Sequence, residues 1–96
     1  MTSKQRAFLR GLANPLSAIF QIGKNGLSDN LIKQIDDALE ARELIKLSVL
    51  ETAPEENRVL ANQIAATTNS CVVQVVGNKL TLYRAKKKNS KIQLPV

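Results

Sequence analysis

Residues 20–49 read FQIGKNGLSDNLIKQIDDALEARELIKLSV, and this stretch decides the fold. Its front, within Ser17–Gly23, alternates: Ala18, Phe20 and Ile22 against Ile19 and Gln21. That is a strand, at least half buried. Gly23-Lys24-Asn25-Gly26 interrupts it. Ser28 then offers a helix N-cap, with Asp29 favourable in the first turn. Leu31, Ile35, Ala38 and Leu39 recur at helical spacing and form a buried stripe, while Asp36, Asp37 and Glu40 fall on the solvent side. From residue 44 the pattern returns to period two, with Ile45, Leu47 and Val49 on one face and Lys46 and Ser48 on the other. Strand, helix, strand makes a crossover unit, so the two strands are expected to run parallel.

Upstream, TSKQRAFLRGLAN reads as a short helix capped by Thr2 or Ser3 and ended by Asn14-Pro15. Phe8, Leu9 and Leu12 form its expected apolar face, with Arg6 and Arg10 together on the other side. Downstream, residues 52–69 read as a third helix. Thr52-x-x-Glu55 has capping-box spacing, Pro54 suits a first turn, and Val59, Leu60 and Ile64 are its apolar face. CVVQVV and KLTLYR flank Gly77-Asn78, a hairpin signal. The first of these strands is apolar on both faces, which favours a central position.

The order is α-β-α-β-α-β-β. It predicts an α/β two-layer sandwich: a mixed four-stranded sheet with helices on one side. The other face, carrying Gln21, Lys46, Ser48, Gln74, Thr81 and Tyr83, is expected to be more open. Residues 86–96, KKKNSKIQLPV, read as a basic tail with an extended end, its Lys86, Lys87 and Lys88 solvated and mobile.

Ninety-six residues fit one domain, spanning 1–96. Fourteen Lys and Arg against eight Asp and Glu give a net charge of +6, which favours an anionic partner such as nucleic acid. Cys71 is the single cysteine, so no internal disulfide forms. In its apolar run it reads as a small buried hydrophobe of a reducing compartment, hence the cytoplasm. There is no signal-peptide pattern and no run of transmembrane length. Histidine is absent, which removes the commonest general base and metal ligand. No catalytic residue, metal site or cofactor is expected. With Phe8, Phe20 and Tyr83 the only aromatics, recognition through backbone and shape is favoured over base-by-base stacking; Tyr83 could stack, and Phe8 and Phe20 read as core.

The Gly23–Gly26 loop has two readings. As plain structure it is a strand-to-helix turn with a convenient lysine. As chemistry, its glycines allow close backbone approach, the following helix start presents unpaired N–H groups, and Lys24 adds charge. KH domains clamp a nucleic-acid backbone with the same logic. The loop is too short for G-x-x-x-x-G-K-S/T, so nucleotide hydrolysis is poorly supported.

Taken in order, KQRAFLRGLANPL, FQIGKNGLSDNLIKQIDDALEARELIKLSV, VQVVGNKLTLYR and KIQLPV resemble the CRM-domain family nearly end to end, in particular its free-standing bacterial YhbY-type members. The resemblance implies the fold of the C-terminal domain of translation initiation factor three. It also implies RNA binding, with large-subunit ribosomal RNA or pre-ribosomal particles as the partner during assembly. It places RNA contacts on Gly23, Lys24, Asn25 and Gly26 and on the basic first helix, Lys4, Arg6 and Arg10, which Lys33 would extend. One departure stands at Ala13-Asn14-Pro15-Leu16-Ser17-Ala18, where many relatives carry Ala-His and then Lys-Pro. A monomer when free, without membrane attachment, is expected. Two other classes compete: a protein–protein adaptor using the open sheet face, and a weaker one, membrane-surface binding through the short first helix.

Overall fold

The computed structural model describes residues 1–86, 90 and 92–95. Seven elements follow in the expected order: α1 (Ser3–Ala13), β1 (Phe20–Ile22), α2 (Asp29–Arg42), β2 (Leu44–Val49), α3 (Asn57–Thr68), β3 (Cys71–Val76) and β4 (Lys79–Tyr83). The four strands form one mixed sheet in the order β1-β2-β4-β3. β1 and β2 are parallel, with Phe20 opposite Leu47 and Ile22 opposite Val49. β4 runs antiparallel to both its neighbours.

The main core lies between the sheet and α2 and α3. Ile35 and Leu39 from α2, with Leu60, Ala61 and Ile64 from α3, pack on Ile22, Ile45, Leu47, Leu80 and Leu82. This is the two-layer sandwich read from the helical stripes and strand alternation. The first helix departs from that reading. Leu9 and Ala13 pack with Leu44, Val73 and Tyr83 in a second, smaller core on the opposite face, joined by Ile92 and Leu94. Helices therefore share one side only for α2 and α3. The second face is correspondingly less open than expected: Ser48, Thr81 and Tyr83 are buried. An adaptor has no broad bare sheet face to use, and Tyr83 is not available for stacking.

Burial in α1 follows Leu9 and Ala13, while Phe8 and Leu12 stay 40% and 41% exposed. The helix is turned so that Arg6 faces inward. Thr2 and Gln5 form a reciprocal capping box at its start.

The strand expected at the centre, β3, is at the edge, and β4 takes the central place. Three valines of β3 divide between two cores, and Val76 stays exposed. Val72 and Val75 join the α2–α3 side, and a bulge between Val72 and Gln74 turns Val73 toward α1. The edge position also leaves Cys71 exposed, not buried. β4 looks half exposed in sequence, yet Thr81 and Tyr83 on its second face are buried, Tyr83 against Leu9 and Ala13 of α1.

α3 starts later than its sequence suggests. Glu56 is the N-cap and makes no side-chain cap bond, and Thr52 does not cap. Ala53 N–H instead donates to the Leu50 carbonyl, which commits residues 50–53 to a turn before the helix.

The end of the chain is tied down by Glu43, a residue with no exposed surface. Its carboxylate accepts from the Lys86 and Ile92 amides and from the Ser90 hydroxyl. Gln5 Nε2 donates to the Pro95 carbonyl at 3.1 Å. The tail is thus a docked segment at its described residues; Lys87 and Lys88 lie outside them. Arg84, just past β4, bonds Asp36, Glu40 and the Thr68 carbonyl, joining sheet, α2 and α3. Among the described residues no helix is long and apolar enough to cross a membrane.

Candidate nucleic-acid interface

Gly26 N–H donates to the Gly23 carbonyl at 2.9 Å. Residues 23–26 are therefore a β-turn, with Lys24 and Asn25 at its exposed tip. The two glycines have different reasons. Gly26 has φ +62°, and a Cβ there would stand 3.1 Å from Pro54 Cγ. The fold itself requires it. Gly23 has no such conformation, and its nearest neighbour would be Leu50 Cδ1 at an ordinary 3.6 Å. Nothing in the fold demands a glycine at Gly23.

Behind the turn, Ser28 Oγ accepts from the Leu31 amide and caps α2. That leaves the first amides of α2 facing outward. Asp29 sits in this first turn and offsets part of the positive helix end. Lys24 is then the main charge the turn offers. The connection from Leu50 to Glu56 packs against both glycines and carries exposed Glu51, Glu55 and Glu56. Like-charge repulsion turns a polyanion away from that flank, toward the second sheet face.

Lys33 is exposed on α2 at the same end of the molecule. It could have paired with Asp36, but Arg84 takes that carboxylate. Lys4 and Arg10 are exposed on α1. α1 packs near Leu44, whereas the turn follows Ile22, which pairs with Val49. The distance along β2 between these points is ~17 Å. The loop and the basic helix are separate patches. Arg6 is half buried, and its Nη1 donates to the carbonyls of Val72 and Val73 beside the bulge. It belongs to the framework, so its charge is only partly on offer.

Three cations were not among the expected RNA contacts. Lys79 follows the hairpin turn, and its register opposite Ser48 places it on the second face. Lys46, opposite Thr81, shares that face. Arg58 is exposed in the first turn of α3, at the end of the sheet that carries Lys24. Alternation marked the face of Lys46, but nothing local revealed that Val49 and the Gly77-Asn78 turn meet, as the Val49 N–H to Asn78 carbonyl bond shows.

Among the described residues no three His, Cys, Asp or Glu side chains cluster for a metal ion. Burial pushes the Tyr83 phenol above the usual 10.0, with Glu43 and then Cys71 adding to it.

The family model of the CRS1 / YhbY (CRM) domain matches residues 1–84. A Bacillus subtilis (strain 168) protein named probable RNA-binding protein YqeI is 48% identical over 95 residues, covering 99% of each chain. A Haemophilus influenzae protein named RNA-binding protein is 38% identical over 95 residues, 99% of this chain and 95% of that one. The solution structure of the hypothetical protein SAV1595 from Staphylococcus aureus superposes with a TM-score of 0.84 at 47% identity, covering 99% of both chains.

Proposed function

The chain belongs to the CRS1 / YhbY (CRM) domain family, and from that premise we propose that it is an RNA-binding protein acting on ribosomal RNA in precursors of the large ribosomal subunit. The observation that carries the reading is the turn at residues 23–26. Its tip offers Lys24 and Asn25, and its first glycine answers no need of the fold. A phosphate backbone laid across Gly23 meets the lysine without a Cβ in the way. The net charge of +6 supports the same partner. Two relatives named as RNA-binding proteins match along nearly the whole chain. The large-subunit target rests on the family resemblance.

In this reading the protein holds a local RNA arrangement and leaves as the subunit matures. It performs no chemistry, needs no cofactor, works in the cytoplasm and is a monomer when free. The test is a sucrose-gradient profile of a lysate, probed for the protein at low and high salt. Migration at or just below the large subunit, lost at high salt, is the expected result. A position at the top of the gradient under both conditions contradicts it.

A further inference from the structure

A groove of about 440 Å³ opens where the start of β1 meets α1 and the end of α2. That is toward the lower end of small-molecule sites, roughly 300–1,000 Å³. Leu12, Leu16, Ile19 and Ile92 contribute its apolar wall, and Arg42 and Lys46 are the charged residues among the described ones that line it. Among the described residues no acidic side chain lines it. Leu12 and Leu16 stay 41% and 39% exposed there. Among the described residues neither cation is in an ion pair; those present join Arg84 to Asp36 and Glu40. The groove therefore combines an apolar wall with uncompensated positive charge.

We propose that this groove receives an unpaired base of the bound RNA, with the flanking phosphates on Arg42 and Lys46. The proposal rests on the RNA-binding reading and extends it to a second contact. The occupant follows from charge and shape. A purely apolar partner leaves two cations desolvated without an anion, which costs free energy. A nucleotide supplies both a flat apolar ring and an anionic link.

Geometry joins the groove to the turn. Ile19 and Gly23 bracket the edge strand β1, so the two sites are ~13 Å apart. Gln21 is exposed between them and pairs with Ser48, on the same sheet face as Lys46. The acidic flank beyond the turn lies on the other side. A single strand leaving Lys24 is thus led along the β1 edge to the groove. A base inside a duplex is stacked and paired and cannot enter.

The test is methyl and amide NMR of the full chain, titrated with a short unstructured single-stranded RNA and with the duplex formed by that strand and its complement. The single strand is expected to shift the methyls of Leu12, Leu16 and Ile19 together with the Lys24 and Asn25 amides. The duplex should shift only the amides. Leu16→Glu should cut single-strand affinity about tenfold, within the range measured for losing one stacked base, and leave duplex affinity within about twofold. Arg42→Ala with Lys46→Ala should reduce the salt slope for the single strand by about two. Leu16, Arg42 and Lys46 all lie outside the buried core, so these variants should keep wild-type melting curves. Silent groove methyls beside shifting turn amides overturn the groove and leave the RNA-binding reading intact. Silence at both sites overturns both.

Discussion

The turn at residues 23–26 and the sheet face beneath α1 are built from different kinds of information. The turn is local. Its glycines, its cap at Ser28 and its exposed lysine lie within a few residues of one another, and each behaves as its residue type predicts. The second face is assembled from distant pieces: Leu9 of α1, Leu44 of β2, Tyr83 of β4 and Leu94 near the end of the chain. Buried Glu43, at a positive φ of 67°, fastens that assembly through Lys86, Ser90 and Ile92. Gly26 apart, the turn should therefore tolerate change at little cost in stability and much in binding. The second face should do the reverse.

The largest break of that contrast is Glu43→Ala. It leaves the Lys86 and Ile92 amides and the Ser90 hydroxyl without their acceptor. A loss of about 3 kcal/mol is expected, read from urea unfolding, with earlier proteolysis of the C-terminal segment. Unchanged stability would mean that the segment is not fastened there. Arg6→Ala comes next, at about 1–2 kcal/mol, because the Val72 and Val73 carbonyls lose their donor. For a chain of this size that is a fall in Tm of several degrees, on the order of 4–8 °C per kcal/mol.

Within the turn, the two glycines sharpen the comparison. Gly26→Ala meets a positive φ and Pro54, and should cost about 1–2 kcal/mol. Gly23→Ala should stay within about 0.5 kcal/mol of wild type while weakening RNA binding. Equal stability losses at the two positions would give both glycines a structural role and remove the reason for assigning Gly23 to the ligand.

The smallest effect concerns Tyr83, the only tyrosine in the chain. Its phenol is raised above 10.0 by burial first, then by Glu43 and Cys71. The folded state holds that proton more tightly than the unfolded one. The resulting stability is complete below pH 10 and is lost as pH rises through the folded value. Ultraviolet titration should place ionisation above 10; a midpoint at or below 10 would argue that the second face is open to water.

Much of the architecture was legible from residues alone. Periodicity located every element, and the parallel β1–β2 pair followed from the helix between them. Cap chemistry placed the starts of α1 and α2. What stayed hidden depended on long-range packing. The run CVVQVV reads as central because four valines look doubly buried, yet a bulge and α1 satisfy an edge strand equally well. Arg6 looks like half of a surface pair with Arg10, but its partners are 66 and 67 residues away. Glu43 and Arg84 are ordinary charged residues in sequence, and their roles come largely from partners more than forty residues distant, Asp36 and Glu40 for Arg84 and Lys86 for Glu43. Of the candidate contacts, the turn and Lys33 share one end of the molecule, and nothing in their spacing showed that α1 would lie at the other.

The most direct measurement is the salt dependence of RNA affinity for the wild-type chain and for Lys24→Ala, at matched stability. A handful of phosphate contacts, about three to five, predicts a log–log slope of about −2 to −4 for wild type. Lys24→Ala should bind more weakly and lower the magnitude of that slope by about one. A flat wild-type slope, or a Lys24→Ala curve that overlies the wild type, would contradict an RNA backbone held at the turn.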